Sequence, residues 1–94
     1  MKNYEVLYIL SPDKEEEYQE KMNQYEDIIK SNGGSVIKSD YWGRKKLAYE
    51  ISGYNDGLYV LTELVADSAV VKELDRKLKL SEEILRHMVI RKGS

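Results

Sequence analysis

The residues best equipped for chemistry in this sequence gather around Gly43: Tyr41, Trp42, Arg44, Lys45 and Lys46. Cations interleaved with aromatics can neutralise phosphates and stack on unpaired bases, as sites for single-stranded or irregular RNA do. The same residues also suit a plain edge strand whose lysines block pairing with other chains. Composition leaves both readings open. Tyr4 and Tyr8 pose a similar choice between a stacking face and a packing face, and Val6 between them marks packing.

Catalysis has little to stand on. His87 is the single imidazole, so a metal site with two histidine ligands cannot form within one chain, and a packed or surface histidine is the plainer reading. Glu15, Glu16, Glu17 and Glu20 crowd the start of one segment, where a solvated face matched to a helix dipole accounts for them. There is no GxGxxG, Walker loop or nucleophile elbow. The sequence has no cysteine, which removes disulfides, thiolate nucleophiles, iron–sulfur clusters and cysteine-based zinc sites. The expectation is a protein that is not an enzyme and uses no metal or cofactor.

The 15 Lys and Arg nearly balance 17 Asp and Glu, for a net charge of −2, which by itself gives no reason to suspect nucleic acid. Local sums differ. Asp13 to Asp27 carries seven acids and two lysines, −5; Val36 to Tyr49 carries four bases and one acid, +3. From Lys72 onward, seven bases face four acids, another +3. The near-neutral average thus conceals one acidic and two basic regions, and a basic region can meet phosphates whatever the total.

These groups need elements to hold them. Lys2 to Leu10 alternates as a strand, with Tyr4, Val6, Tyr8 and Leu10 on one face and Leu7 and Ile9 on the other. Ser11-Pro12-Asp13 stops it, and Asp13 with Glu16 has capping-box spacing for a helix with a stripe of Tyr18, Met22, Tyr25 and Ile29. Asn32-Gly33-Gly34 ends that helix. Val36 to Ile51 predicts a long strand with a bulge or bend at Gly43, and Ser52 to Gly57 a turn, with Asp56-Gly57 as its strongest signal. Leu58 to Val65 predicts a central strand. Asp67 should cap a second helix with the stripe Val71, Leu74 and Leu78, and Ile84 to Arg91 a last strand.

Strand, helix, strand, strand, helix, strand is the order of an α+β, ferredoxin-like sandwich, a four-stranded antiparallel sheet with two helices on one face. Strands one and three should lie inside, two and four at the edges. A single domain over residues 1–94 accounts for the length, and 41% hydrophobic against 34% charged residues is a globular balance. No targeting segment is recognisable, and no run approaches the roughly 20 apolar residues of a membrane span, so a cytoplasmic protein is expected.

Trp42-Gly43-Arg44-Lys45-Lys46-Leu47-Ala48-Tyr49 resembles the signature of the bacterial small-subunit ribosomal protein S-six family. The resemblance spans nearly the whole chain: Tyr4-Glu5 and Tyr8-Ile9, then Gly33-Gly34, Gly57 with Tyr59-Val60-Leu61, and Leu85-Arg86-His87 leading to Val89-Ile90-Arg91-Lys92. Glu50 stands where the family usually has proline, and Tyr41 where an acid commonly precedes Trp-Gly. The resemblance implies a ribosome-associated structural protein that binds the central domain of small-subunit ribosomal RNA as a heterodimer with ribosomal protein eighteen. Recognition would follow RNA shape, with cations on phosphates. Lys2, Arg86, Arg91 and Lys92 are then one expected set of phosphate contacts and Arg44, Lys45 and Lys46 a second. Tyr41 and Trp42 are candidates for the partner-protein interface, with Trp42 as internal packing the alternative. A competing reading is a ferredoxin-like regulatory module that binds a small metabolite as an oligomer. It would need a glycine-rich loop after strand one, which Ser11-Pro12-Asp13-Lys14-Glu15 is not.

Overall fold

A computed structural model describes residues 1–93. Four strands, β1 (Lys2–Leu10), β2 (Ser35–Ile51), β3 (Tyr54–Ala66) and β4 (Ile84–Lys92), and two helices, α1 (Tyr18–Ser31) and α2 (Ser68–Leu80), follow in the expected order. The sheet is antiparallel with the spatial order β2-β3-β1-β4, so the two most apolar strands lie inside. This is the ferredoxin-like sandwich.

Alternation in the strands and helical stripes meet in one core. Tyr4, Val6, Tyr8 and Leu10 of β1 and Leu58, Val60, Leu64 and Ala66 of β3 are buried beneath the helices. Met22, Tyr25 and Ile29 of α1, with Val70, Val71, Leu74 and Leu78 of α2, close over them. Tyr4 and Tyr8 are therefore core residues. The Tyr8 and Tyr25 rings meet edge to face at 5.1 Å, and burial raises both phenol pKa values well above the ordinary range.

Three local features depart from the sequence expectations. Asp13 does not cap the first helix: Ser11 occupies the cap position, Pro12 opens a 3₁₀ turn over Pro12–Glu17, and α1 follows from Tyr18. Proline at the first position fits because its missing N–H would have been unpaired there. Asp67 takes the cap position of α2, but its carboxylate lies 3.5 Å from the N-terminal ammonium while its backbone carbonyl accepts from Val70 at 3.0 Å. The β2–β3 turn is Ser52-Gly53, not Asp56-Gly57. Both turn residues have positive φ, 51° and 84°, the twist that a two-residue hairpin demands.

Gly57 lies inside β3, opposite Lys45, and space explains its identity. A methyl group there would run into Ile9 Cγ2 and sit 3.3 Å from Leu47 Cδ2. Ile9 points away from the helices, yet it is only 7% exposed, because the far half of the β2–β3 hairpin curls over that end of the sheet. Leu47, also buried, seals the contact.

His87 faces the helices and is held 2.7 Å from Asp75 of α2. This tie joins α2 to the edge strand β4 and gives the histidine a structural partner. The bond to His87, aided by Lys79, holds the Asp75 carboxyl below its usual range.

Two outcomes follow. Gly57→Ala should lower stability by about 1–3 kcal/mol, the usual cost of overpacking, read from urea denaturation. An unchanged midpoint would show that the hairpin can lift off Ile9. A carboxylate with a depressed folded-state pKa stabilises above its unfolded value, about 3.9, and that contribution fades as pH falls through the folded value. Thermal midpoints of the wild type and Asp75→Asn should therefore differ at neutral pH, draw together as the pH falls below about 4 and converge below the depressed folded-state value; a constant gap would exclude the tie.

Candidate nucleic-acid interface

The exposed surface of the hairpin is built by a defect in β2. Pairing with β3 shifts register between Tyr41 and Gly43, leaving Trp42 as the extra residue, and Gly43 has a φ of 87°. Glycine relieves the steric cost of that backbone conformation. The bulge separates the two aromatics expected at a partner interface. Tyr41 turns inward and stacks on Tyr18 of α1, ring centres 3.7 Å apart and planes 15° from parallel. Burial, then the negative charge of Glu15, raises the Tyr41 pKa. Its ring is thus engaged within the molecule. Trp42 remains 46% exposed, with the Lys45 ammonium 6.0 Å from its ring centre.

The seven expected phosphate contacts fall into different environments. Arg44 is held between two carboxylates, Glu15 at 3.2 Å and Asp56 at 3.6 Å. Lys92 is likewise held, 3.1 Å from Glu63 and 3.6 Å from Glu5, and these contacts raise its pKa. Glu5 and Glu63 are direct cross-strand neighbours, so Lys92 bridges two like charges that would otherwise repel. Lys2, Lys45, Lys46, Arg86 and Arg91 make no ion pair among the described residues. Exposed pairs are weak, each about 0–1 kcal/mol, but a cation already set between two acids gains less from a phosphate than an unpaired one.

Register also divides the cations of β4. Arg91 lies opposite Tyr4, on the helix side of the sheet, with Lys2 as its diagonal neighbour across β1. Arg86 lies opposite Ile9, on the other face and at the other end of the strand. The terminal cations therefore do not form one patch. Arg86 instead meets the hairpin: its Nη1 donates to the Tyr49 hydroxyl, and the guanidinium carbon lies 5.8 Å from the Tyr49 ring centre.

The motif around Gly43 does not by itself single out Tyr49, Met88 or Ile90. Tyr49 is 59% exposed, Met88 48% and Ile90 45%. Arg86, Met88 and Ile90 alternate along β4, and two helices can cover only one face of a sheet; together these facts leave the other face open. The acids collect elsewhere. A hollow of about 310 Å³ is lined by Asp13, Glu82 and Glu83 with Lys14 as its one cation, and suits a phosphate poorly. Among the described residues no group of three His, Asp or Glu is placed to hold a metal, and no helix is long and apolar enough to cross a membrane.

Comparison with known proteins gives the family. The sequence profile of the family described as Ribosomal protein S6 matches residues 3–91. Small ribosomal subunit protein bS6 of Desulforamulus reducens is 44% identical over 94 residues, covering 99% of each chain. The bS6 of Natranaerobius thermophilus is 44% identical over 92 residues, covering 97% of this chain and 96% of that one. The crystal structure of 30S ribosomal protein S6 from Thermotoga maritima superposes with a TM-score of 0.90 at 29% identity, over 97% of this chain and 87% of the other. The C-terminal domain of Mycobacterium tuberculosis MgtC also superposes, with a TM-score of 0.63 at 15% identity, and shares the fold alone. Because one fold serves unrelated proteins, the sequence match carries the assignment: this chain belongs to the ribosomal protein S6 family of the small ribosomal subunit.

Proposed function

We propose that this chain is a structural, non-catalytic constituent of the small ribosomal subunit in the cytoplasm. Residues 1–94 would act as one RNA-binding domain on the central domain of the small-subunit RNA, as half of a heterodimer with ribosomal protein eighteen. The observation that carries this reading is the sorting of charge. Among the described residues Lys45, Lys46 and Arg86, on the hairpin and the opposite edge strand, make no ion pair, while Arg44 and Lys92 are each held between two acids. Cations left unneutralised attract a polyanion whatever the net charge of the whole chain.

Lys2 and Arg91 form a smaller second contact near the chain ends. Arg44 and Lys92 hold the scaffold first and meet phosphate only at the expense of their carboxylates. The partner protein covers the apolar residues that the helices leave open, Trp42, Met88 and Ile90. Tyr41, stacked on Tyr18, supports that surface from beneath. Burying a side chain of this size contributes roughly 1.5–3 kcal/mol, so three of them can anchor a heterodimer. With eight of its 15 cations already in ion pairs, this chain relies on the partner for much of the attraction to RNA.

Binding of a central-domain RNA fragment, measured by fluorescence anisotropy across a salt series with and without ribosomal protein eighteen, tests this. Affinity should fall steeply with salt and be higher for the heterodimer. Ala at Lys45, Lys46 or Arg86 should each flatten the logarithmic salt slope by about 0.7–0.9, the value of one phosphate contact. Arg44→Ala and Lys92→Ala should change the slope less. Equal RNA affinity of the isolated chain and the heterodimer would sink the shared-attraction reading, and failure of both to bind at low salt would sink RNA binding itself.

A further inference from the structure

We propose that Tyr49 and Arg86 together form a receptor for one unpaired nucleotide, the base stacking on the tyrosine ring and its phosphate meeting the guanidinium. This rests on the RNA-binding reading and names the feature of the RNA that the hairpin recognises.

The first support is exposure. Tyr49 sits at 59% exposure near the tip of a hairpin, which leaves its ring open to a ligand. Lys45, Leu47 and Tyr49 follow one another along β2, where pairing with β3 shifts register between Lys46 and Ile51. Leu47 takes the buried position over Gly57, leaving Lys45 and Tyr49 on either side of it.

The second support is the joint with Arg86. The hydroxyl of Tyr49 accepts one guanidinium N–H, which fixes the arginine at the polar edge of the ring. A guanidinium has five donors in a planar fork, so most remain for a phosphate. Among the described residues no carboxylate pairs with Arg86 or Lys45. An aromatic face beside unneutralised cations is the usual means of holding single-stranded nucleic acid, because every base presents a π-face. Trp42 with Lys45 repeats the pairing one step along the hairpin. A purely apolar protein partner would gain from the ring but leave the cations unmatched, which favours a nucleotide at this position.

Two labelled probes test the site by anisotropy at low salt: an octamer of unpaired adenylates and an abasic strand of the same length and charge. The wild-type chain should prefer the adenylate strand. Tyr49→Leu should weaken adenylate binding about tenfold, to the level of the abasic strand, and leave abasic binding unchanged. Tyr49→Phe should keep the preference, and Lys46→Ala should weaken both probes alike. Circular dichroism and urea midpoints of Tyr49→Leu guard against a folding defect, and should match the wild type because the ring is mostly exposed. Equal binding of both probes by the wild type, or a preference that survives Tyr49→Leu, overturns the proposal. So does a Tyr49→Leu variant that keeps the preference but releases ribosomal protein eighteen, which would give the ring to the protein interface. If neither probe binds while the central-domain fragment does, the nucleotide receptor fails and the RNA-binding reading stands; if nothing binds, both fail.

Discussion

The close approach of Gly57 to Ile9 governs the part of this molecule that faces outward. A side chain at position 57 would hold the β2–β3 hairpin off the sheet. Without one, the hairpin curls across the uncovered face until Leu47 packs against Ile9 and Gly57. The curl brings Tyr49 of one edge strand to Arg86 of the other, although β3 and β1 lie between those edges in the sheet. The bulge at Trp42 adds a second adjustment, turning Tyr41 onto α1 while its neighbour stays exposed. Packing on a scale of a single methyl group thus decides where charged groups stand relative to aromatic ones.

The same scaffold shows how a protein of net charge −2 can present a basic side. Eight of its cations form ion pairs within the molecule; those of Lys21, Arg44 and Lys92 join different elements, and the other five are local. Glu83 illustrates the acidic counterpart: its backbone carbonyl accepts from Ser11, while its carboxylate accepts from Tyr25 and pairs with Lys21. Acids that fasten the helical side of the molecule are also the acids that would repel a phosphate there. The two roles coincide again on the face away from the helices, where Glu5 and Glu63 hold Lys92.

Much of this was legible in the sequence. Period-two alternation in β1, the stripes of α1 and α2 and the glycine at position 43 gave the element order and hence the fold. The Trp-Gly to Leu-Ala-Tyr stretch gave the family. What resisted reading depended on neighbours distant in sequence. Asp56-Gly57 has turn chemistry, but Gly57 is needed for a close approach to β1, and the actual turn at Ser52-Gly53 carries a weaker local signal. Asp13 and Asp67 have the right spacing for caps, yet in neither case does the side chain make a cap hydrogen bond. Arg44 and Lys92 look equivalent to Lys46 and Arg91 as letters. Only the fold shows that each of the first two is already bracketed by acids, Arg44 by Glu15 of the 3₁₀ turn and Asp56 of β3, Lys92 by Glu5 of β1 and Glu63 of β3.

The joint between Tyr49 and Arg86 spans 37 residues of sequence and exists only after β4 has paired with β1. Closing so long a loop is a late and entropically expensive event in folding, since its contacts are non-local. An incompletely folded copy carries every one of the same charges, net −2, but lacks their arrangement. Each of the two side chains is placed by pairing in a different edge strand, so loosening either edge takes the joint apart.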